Sequence, residues 1–251
     1  MISTATHSVS GQQVSSRVHR SVKGRRLRWF FSVISGALLA VLVIGFAPTF
    51  LLRAFFDVPP MPAYLYAHCV VLTTWYVLVL AQTVLVARHR VDLHRRLGQA
   101  AAVVAVLVVA VSAFVLVEYP ARAFARGRDP DFVRNLIAGD SLALVFFITL
   151  VSAGLYFRRH PDIHKRLMIL SCFQIFNPAF ARVERLGLAV PPPVVVLVFP
   201  LVALVTYDVL TRRRPHRVTM LGLLLLLIAW SVLYAPLATS PAVAAFIEAV
   251  R

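Results

Sequence analysis

The feature that most constrains this chain is a rhythm. Apolar blocks of about twenty residues alternate with short, mostly basic segments. A helix rises about 1.5 Å per residue, so about twenty residues cross a hydrocarbon core of roughly 30 Å. No water reaches that core to satisfy backbone polar groups, so each block is expected to be a helix. The content of 60% hydrophobic and 14% charged residues lies outside the range of ordinary soluble domains. The short alternating segments of a β-barrel are missing. The expected fold class is all-α, a polytopic membrane helix bundle.

Seven transmembrane helices are expected, at about Trp29–Leu52, Ala63–Ala87, Leu97–Tyr119 (stopped by Pro120), Ile137–Phe157, Leu167–Leu188 (stopped by Pro191, Pro192 and Pro193), Val194–Leu210 and Val218–Ala238. Residues 1–28 form a polar, basic tail, of which 1–20 are expected to be disordered because they offer nothing apolar to bury. A cleaved signal peptide is the competing reading of the first block, but Trp29–Leu52 exceeds a signal core. Residues 239–251 form a short outer tail. There Ser240 is a candidate N-cap and Pro241 a first helical residue, so a short interfacial helix is expected.

The net charge of +16 would suit nucleic acid, but its distribution does not. The basic residues cluster between apolar blocks, as the positive-inside rule expects. The expected partners are the lipid bilayer, anionic headgroups at the inner loops and another membrane protein; no nucleic acid is expected. With the N-terminus inside, 18 of the 26 Lys and Arg fall on the inner side: Arg17 to Arg28, Arg88 to Arg96, Arg158 to Arg166 and Arg212 to Arg217. An odd number of spans puts the C-terminus outside.

One phrase occurs twice. Asp92-Leu93-His94-Arg95-Arg96-Leu97 is matched 70 residues later by Asp162-Ile163-His164-Lys165-Arg166-Leu167. Each copy opens the helix that returns outward. Spans two and three, and spans four and five, therefore read as two related hairpins. A looser third phrase around His216 opens span seven, so the chain reads as one leading helix plus three hairpins, the first two an internal repeat. Helix-end chemistry accounts for much of the phrase. Asp92 and Asp162 suit the positive end of a helix. Arg96, Lys165 and Arg166 lie within ion-pair reach, and basic residues bind anionic headgroups. Neither effect requires His94 and His164 at matched positions. At one depth, the two imidazoles are a candidate inner ligand pair for a metal or haem, or a proton relay. The plainer alternative is that each donates to a carbonyl or a lipid phosphate. His160 and His164 also have a metal-binding spacing, but Pro161 is expected to leave His160 just before the helix.

"RVDLHRRLG", "HKRLMIL", "NPAFAR" and "YDVLTRRRPHR", with His68, Trp75 and Gln82 in the second span, resemble a family of uncharacterised bacterial multispanning membrane proteins across roughly residues 64–222. The resemblance implies the fold and the bacterial cell (inner) membrane. It supplies no catalytic residue.

Ionisable groups within spans are costly unless they face the bundle interior. Tyr64, His68, Trp75 and Gln82 fall within about 40° of one another on a helical wheel. Gln174, Asn177, Glu184 and Arg185 form a second stripe on span five, where Pro178 frees a carbonyl one turn earlier. Arg182 snorkels more readily than Arg185. Glu118 and Asp140, at the outer ends of spans three and four, are possible partners, and an N-cap role explains Asp140 almost as well. Together these residues define a candidate outward-facing polar pocket, with a belt tyrosine and a satisfied core histidine as the plain alternative.

Several functions are excluded. The only lysines, Lys23 and Lys165, lie outside mid-span, so no retinal Schiff base can form. No phosphate-binding glycine loop, nucleophile elbow or zinc motif is present. Cys69 and Cys172 read as small core residues near opposite faces. Three classes remain: a redox-associated or respiratory-assembly membrane protein binding haem, metal or quinone; a small-molecule or lipid transporter using the outer pocket; and a non-catalytic membrane scaffold. Against the first class, a bis-histidine haem wants two deep histidines on facing helices, and only His68 is deep.

The topology is testable with reporter fusions at residues 90, 125, 162 and 214. Inside signals are expected at 90, 162 and 214 and an outside signal at 125; an outside signal at 162 or 214 would overturn the threading.

Overall fold

The computed structural model describes residues 28–56, 58, 60–173 and 193–250. Most of these residues are helical, and none of them forms a strand. The helices are α1 (Phe30–Phe46), α2 (Ala63–Ala87), α3 (Val91–Ala125), α4 (Pro130–Tyr156), α5 (Pro161–Leu170), α6 (Pro193–Arg212), α7 (Arg217–Ile228), α8 (Tyr234–Ala238) and α9 (Pro241–Val250). A π turn, Ala47–Leu51, extends α1, and another, Ala229–Leu233, joins α7 to α8. Five segments are long and apolar enough to cross a membrane: Phe30–Leu51, Ala63–Ala87, Val91–Ala125, Pro130–Arg159 and Arg217–Ala238. The expected disordered tail and most of the expected fifth span lie outside the described residues.

Three boundaries correct the sequence expectation. Pro120 does not stop the third helix; α3 runs through it to Ala125. Proline costs that helix one backbone hydrogen bond, but packing holds the turns on either side. Ala123 is buried with Val133 and Ile137 of α4 and Val243 and Ile247 of α9, and Leu116, Tyr119 and Phe124 pack against them. Arg122 and Arg126 beyond the proline both donate to the carbonyl of Pro60, at 2.8 and 3.0 Å. At 35 residues, α3 is about 52 Å long and overhangs a hydrocarbon core. Next, α4 begins seven residues before the expected Ile137, at Pro130. Its N-cap is Asp129, which accepts from the Asp131 N–H at 2.8 Å, so Asp140 is an interior residue of α4 and not a cap. Finally, α5 ends at Leu170, inside the span expected at Leu167–Leu188 and ahead of the break expected near Pro178.

The segment that breaks there is the core of the bundle. Arg166, Ile169, Leu170, Ser171, Cys172 and Phe173 are all buried. Helices α1, α4 and α7 pack around α5, and the Tyr76 hydroxyl of α2 donates to the Cys172 carbonyl. Two glycines allow the close approach. A methyl group on Gly154 of α4 would meet Met168 Sδ at 2.8 Å, and one on Gly222 of α7 would meet Leu170 Cδ1 at 2.5 Å. Small residues at such crossings are how membrane helices approach without a hydrophobic driving force between them.

The polar helix openings gather at one end. Arg28, before α1, hydrogen-bonds His89 in the α2–α3 turn. Phe30 stacks on Tyr207 of α6 at 4.3 Å. Lys165 of α5 lies over the Phe31 ring at 5.1 Å, and Arg212 at the end of α6 pairs with Asp162. His89 and Arg213 close their turns in the left-handed region, with φ of 61° and 60°.

Gly222→Ala is expected to destabilise the protein by about 1–2 kcal/mol. Overpacking costs about 1–3 kcal/mol and helix propensity returns about 1 kcal/mol, while Leu170, 1% exposed, has little room to yield. Thermal unfolding in detergent measures this. Adding Leu170→Val should recover part of the loss, and an unchanged melting temperature for Gly222→Ala would refute the tight α5–α7 contact.

Candidate functional site

The two matched histidines meet. The rings of His94, in the first turn of α3, and His164, in the first turn of α5, have centroids 6.3 Å apart and an interplanar angle of 78°. Both side chains are half-buried. His164 Nδ1 lies 2.7 Å from the Gly154 carbonyl. A carbonyl only accepts, so Nδ1 carries the proton and Nε2 keeps a lone pair in the neutral ring. The Gly154 carbonyl belongs to the last turn of α4, where helical carbonyls lack intrahelical partners. His94 Nδ1 is buried with no hydrogen-bond partner, as is Gln82 Oε1. For His164, a ring nitrogen tied to a backbone carbonyl is the arrangement that orients histidine as a ligand.

Beside the pair lies a buried ionic network. Arg166 and Asp208 are both 0% exposed and form an ion pair. Arg166 Nε also donates to Asp208 Oδ1 at 3.1 Å, and Nη1 donates to the Asp162 carbonyl at 2.6 Å. Asp208 Oδ2 accepts from the His216 backbone N–H at 3.0 Å and the Thr219 hydroxyl at 2.6 Å. Every charged group thus has several partners, which is the condition for keeping an ion pair away from water. At the rim, Asp162 pairs with Lys165 at 2.8 Å and with Arg212. The Lys165 hydrogen bond, with help from Arg212 and Arg166, holds the Asp162 carboxyl below the usual carboxylate range.

His216 differs from its expected role. It is the N-cap of α7 and its Nδ1 accepts from the Val218 N–H at 3.1 Å, whereas His94 and His164 lie inside the first turn of their helices. Burial, followed by the charges of Arg166 and Arg212, pushes its pKa down, which keeps the neutral ring that the cap requires. The third phrase therefore supplies a cap and not a third ring facing the pair. His160 likewise precedes α5, as its N-cap residue. Among the described residues, no three His, Cys, Asp or Glu side chains cluster as a metal site.

The stripe on α2 faces its neighbours in the bundle. Tyr64 meets Phe114 of α3 edge-on at 5.7 Å, and Trp75, 2% exposed, meets Phe147 of α4 at 5.2 Å. Gln82 lies against Gly98 of α3, and His68 is half-buried between the two ends of the stripe. Glu118 and Asp140 stand exposed on α3 and α4. Gln174, Asn177, Arg182, Glu184 and Arg185 lie outside the described residues. Both cysteines are free thiols.

The sequence reading passes over Asp208. Its signal was available: it is an acidic residue inside the expected sixth span. Arg166 is credited there only with a pairing on its own helix. Compared with known proteins, the chain matches no family model, no curated protein and no solved structure.

Asp208→Leu should cost about 3–5 kcal/mol, because it leaves the Arg166 charge buried and unpaired. Adding Arg166→Met should make the double variant more stable than Asp208→Leu alone. Unfolding in detergent decides this, and additive losses would show that the pair is not coupled.

Proposed function

We propose that the protein is a redox-associated or respiratory-assembly membrane protein of the bacterial inner membrane, in which His94 and His164 hold a haem, metal or quinone cofactor. One observation carries this reading: two imidazoles on separate helices meet at 6.3 Å, and His164 is tied through Nδ1 to the Gly154 carbonyl so that Nε2 stays open. An imidazole that merely satisfied itself would need no partner ring. Redox cofactors in membranes are held by such inward-facing side chains from neighbouring helices.

The topology that goes with this reading has seven spans, the N-terminus inside and the C-terminus outside. The fifth span begins with α5 and the sixth is α6. The gathering of Arg28, His89, Lys165 and Arg212 segments at one end of the bundle supports it, since the positive-inside rule places all four on the cytoplasmic side. The α2–α3 and α4–α5 hairpins are the two copies of the repeat, with His94 and His164 in equivalent turns. The site then lies at the inner boundary of the bilayer, where a cofactor exchanges electrons or is handed on without crossing the membrane.

Full-length protein purified from native membranes should carry a chromophore, a metal or an extractable quinone in near-stoichiometric amount. The His94→Ala/His164→Ala variant should lose it while still eluting as a single species. A cofactor retained by that variant, or absent from both proteins, refutes the reading.

A further inference from the structure

We propose that the end of α3 far from the histidines binds an anionic phospholipid, with its phosphodiester held by Arg122 and Arg126. His94 lies in the first turn of α3, whereas Arg122 is in the last turn and Arg126 is the C-cap. The surface is therefore separate from the histidine pair and owes nothing to a cofactor there.

Two guanidinium groups turn to a single oxygen. Arg122 and Arg126 each donate through Nη2 to the Pro60 carbonyl, at 2.8 and 3.0 Å. A cation suits the last turn of any helix, but arginines pointing apart would serve that purpose equally. Here two like charges stand side by side on a neutral acceptor, and neither forms an ion pair among the described residues. The carbonyl occupies only one of the five donors on each guanidinium. Arg126 is exposed and Arg122 is half-buried with its Nε covered, so terminal nitrogens are the donors left open. Guanidinium forks match the two free oxygens of a phosphodiester.

Depth identifies that phosphate as a lipid's. Between Leu97 and Val117, α3 carries no charged residue, a run of about 31 Å that matches a hydrocarbon core of roughly 30 Å. Arg122 stands about 7.5 Å beyond that run, and the headgroup layer adds roughly 5–8 Å on each side. Helical side chains lean toward the N-terminus, so Arg126 reaches back toward the membrane to join Arg122 at Pro60. Deeper on α3, Phe114 is exposed and meets the Tyr64 ring edge-on at 5.7 Å, at the level of the acyl chains. The connection that carries Pro60 also exposes Phe55, at 83%, an apolar ring better placed in lipid than in water.

Charge selects the class of lipid. Arg122, Arg126 and Glu118 all interact electrostatically with the Tyr64 phenol, so two positive charges and one negative charge share this corner. A phosphodiester brings one negative charge and balances the excess. A zwitterionic headgroup adds an ammonium and leaves the excess in place.

Full-length protein in mixed micelles with equal amounts of phosphatidylglycerol and phosphatidylcholine provides the test, with retained lipid counted by native mass spectrometry. Wild type should retain one phosphatidylglycerol with about tenfold preference over phosphatidylcholine. Arg122→Gln/Arg126→Gln should bring the two lipids level, while Arg95→Gln/Arg96→Gln, at the other end of α3, should keep the preference. Arg122→Lys/Arg126→Lys retains both charges in case the glutamine variant does not fold, and it should lose most of the preference because an ammonium cannot fork. Equal retention of the two lipids by wild type overturns the proposal. So does a preference that survives in the lysine and glutamine variants, or one that Arg95→Gln/Arg96→Gln abolishes equally, which marks general attraction to basic surface. If inorganic phosphate binds at Arg122 and Arg126 and phosphatidylglycerol does not, the site takes a free anion and the lipid assignment falls.

Discussion

A guanidinium and a carboxylate with no exposed surface hold one end of this bundle together. Arg166 opens the buried stretch of α5, and Asp208 lies near the end of α6. The carboxylate also ties down the His216 backbone and the Thr219 side chain at the start of α7. One ionic group thus joins three helices whose apolar faces have no preference for one another over lipid. Neither charge is tolerable alone at that depth, so the three helix ends are required to meet in one geometry.

The histidine pair depends on the same junction. Arg166 lies two residues after His164 in α5. Fixing Arg166 against Asp208 and Asp162 fixes the rotation of α5, and with it the direction of the His164 ring. The close contact of Gly154 with Met168 sets the distance between α4 and α5 and brings the Gly154 carbonyl within 2.7 Å of His164 Nδ1. His94 enters from the other hairpin, on a helix that packs against both α2 and α4. The site is assembled from two hairpins, with a separately locked core on one side and the exposed Arg95 and Arg96 on the other.

Much of the helical architecture was legible because membrane insertion leaves the chain few choices. Apolar block length alone places α2 at Ala63–Ala87, as found. Errors arose where local signals compete with packing. Proline reads as a stop, yet Pro120 is carried inside α3 by contacts with α4 and α9. Of the two readings of Asp140, pocket partner or cap, the cap falls: the N-cap belongs to Asp129, ahead of Pro130 at the first helical position. The fifth span was drawn from apolar content with its break at Pro178, and apolar content cannot register the turn at Ser171 and Cys172, where the Tyr76 hydroxyl donates to a carbonyl. For the site, the repeat pointed to His94 and His164 as equivalents, while the buried partner of Arg166 lay unread in another helix.

The two copies of the phrase divide what each level of structure decides. Residue order is enough to make both open a helix, to put acid early and base late in each turn, and to hold both histidines at one register. These follow from helix-end electrostatics and hydropathy, which are local. Arg96 and Arg166 hold matching positions 70 residues apart, yet Arg96 is exposed and Arg166 has no exposed surface. That difference comes from the packing of the helices. Helix α5 is enclosed by α1, α4 and α7 and meets the Asp208 carboxylate of α6, so its arginine is covered and paired. The corresponding turn of α3 lies at the edge of the bundle, so its arginine stays exposed. Nothing within either phrase encodes which neighbours will cover it, because burial is a property of the assembled helices and not of the turn.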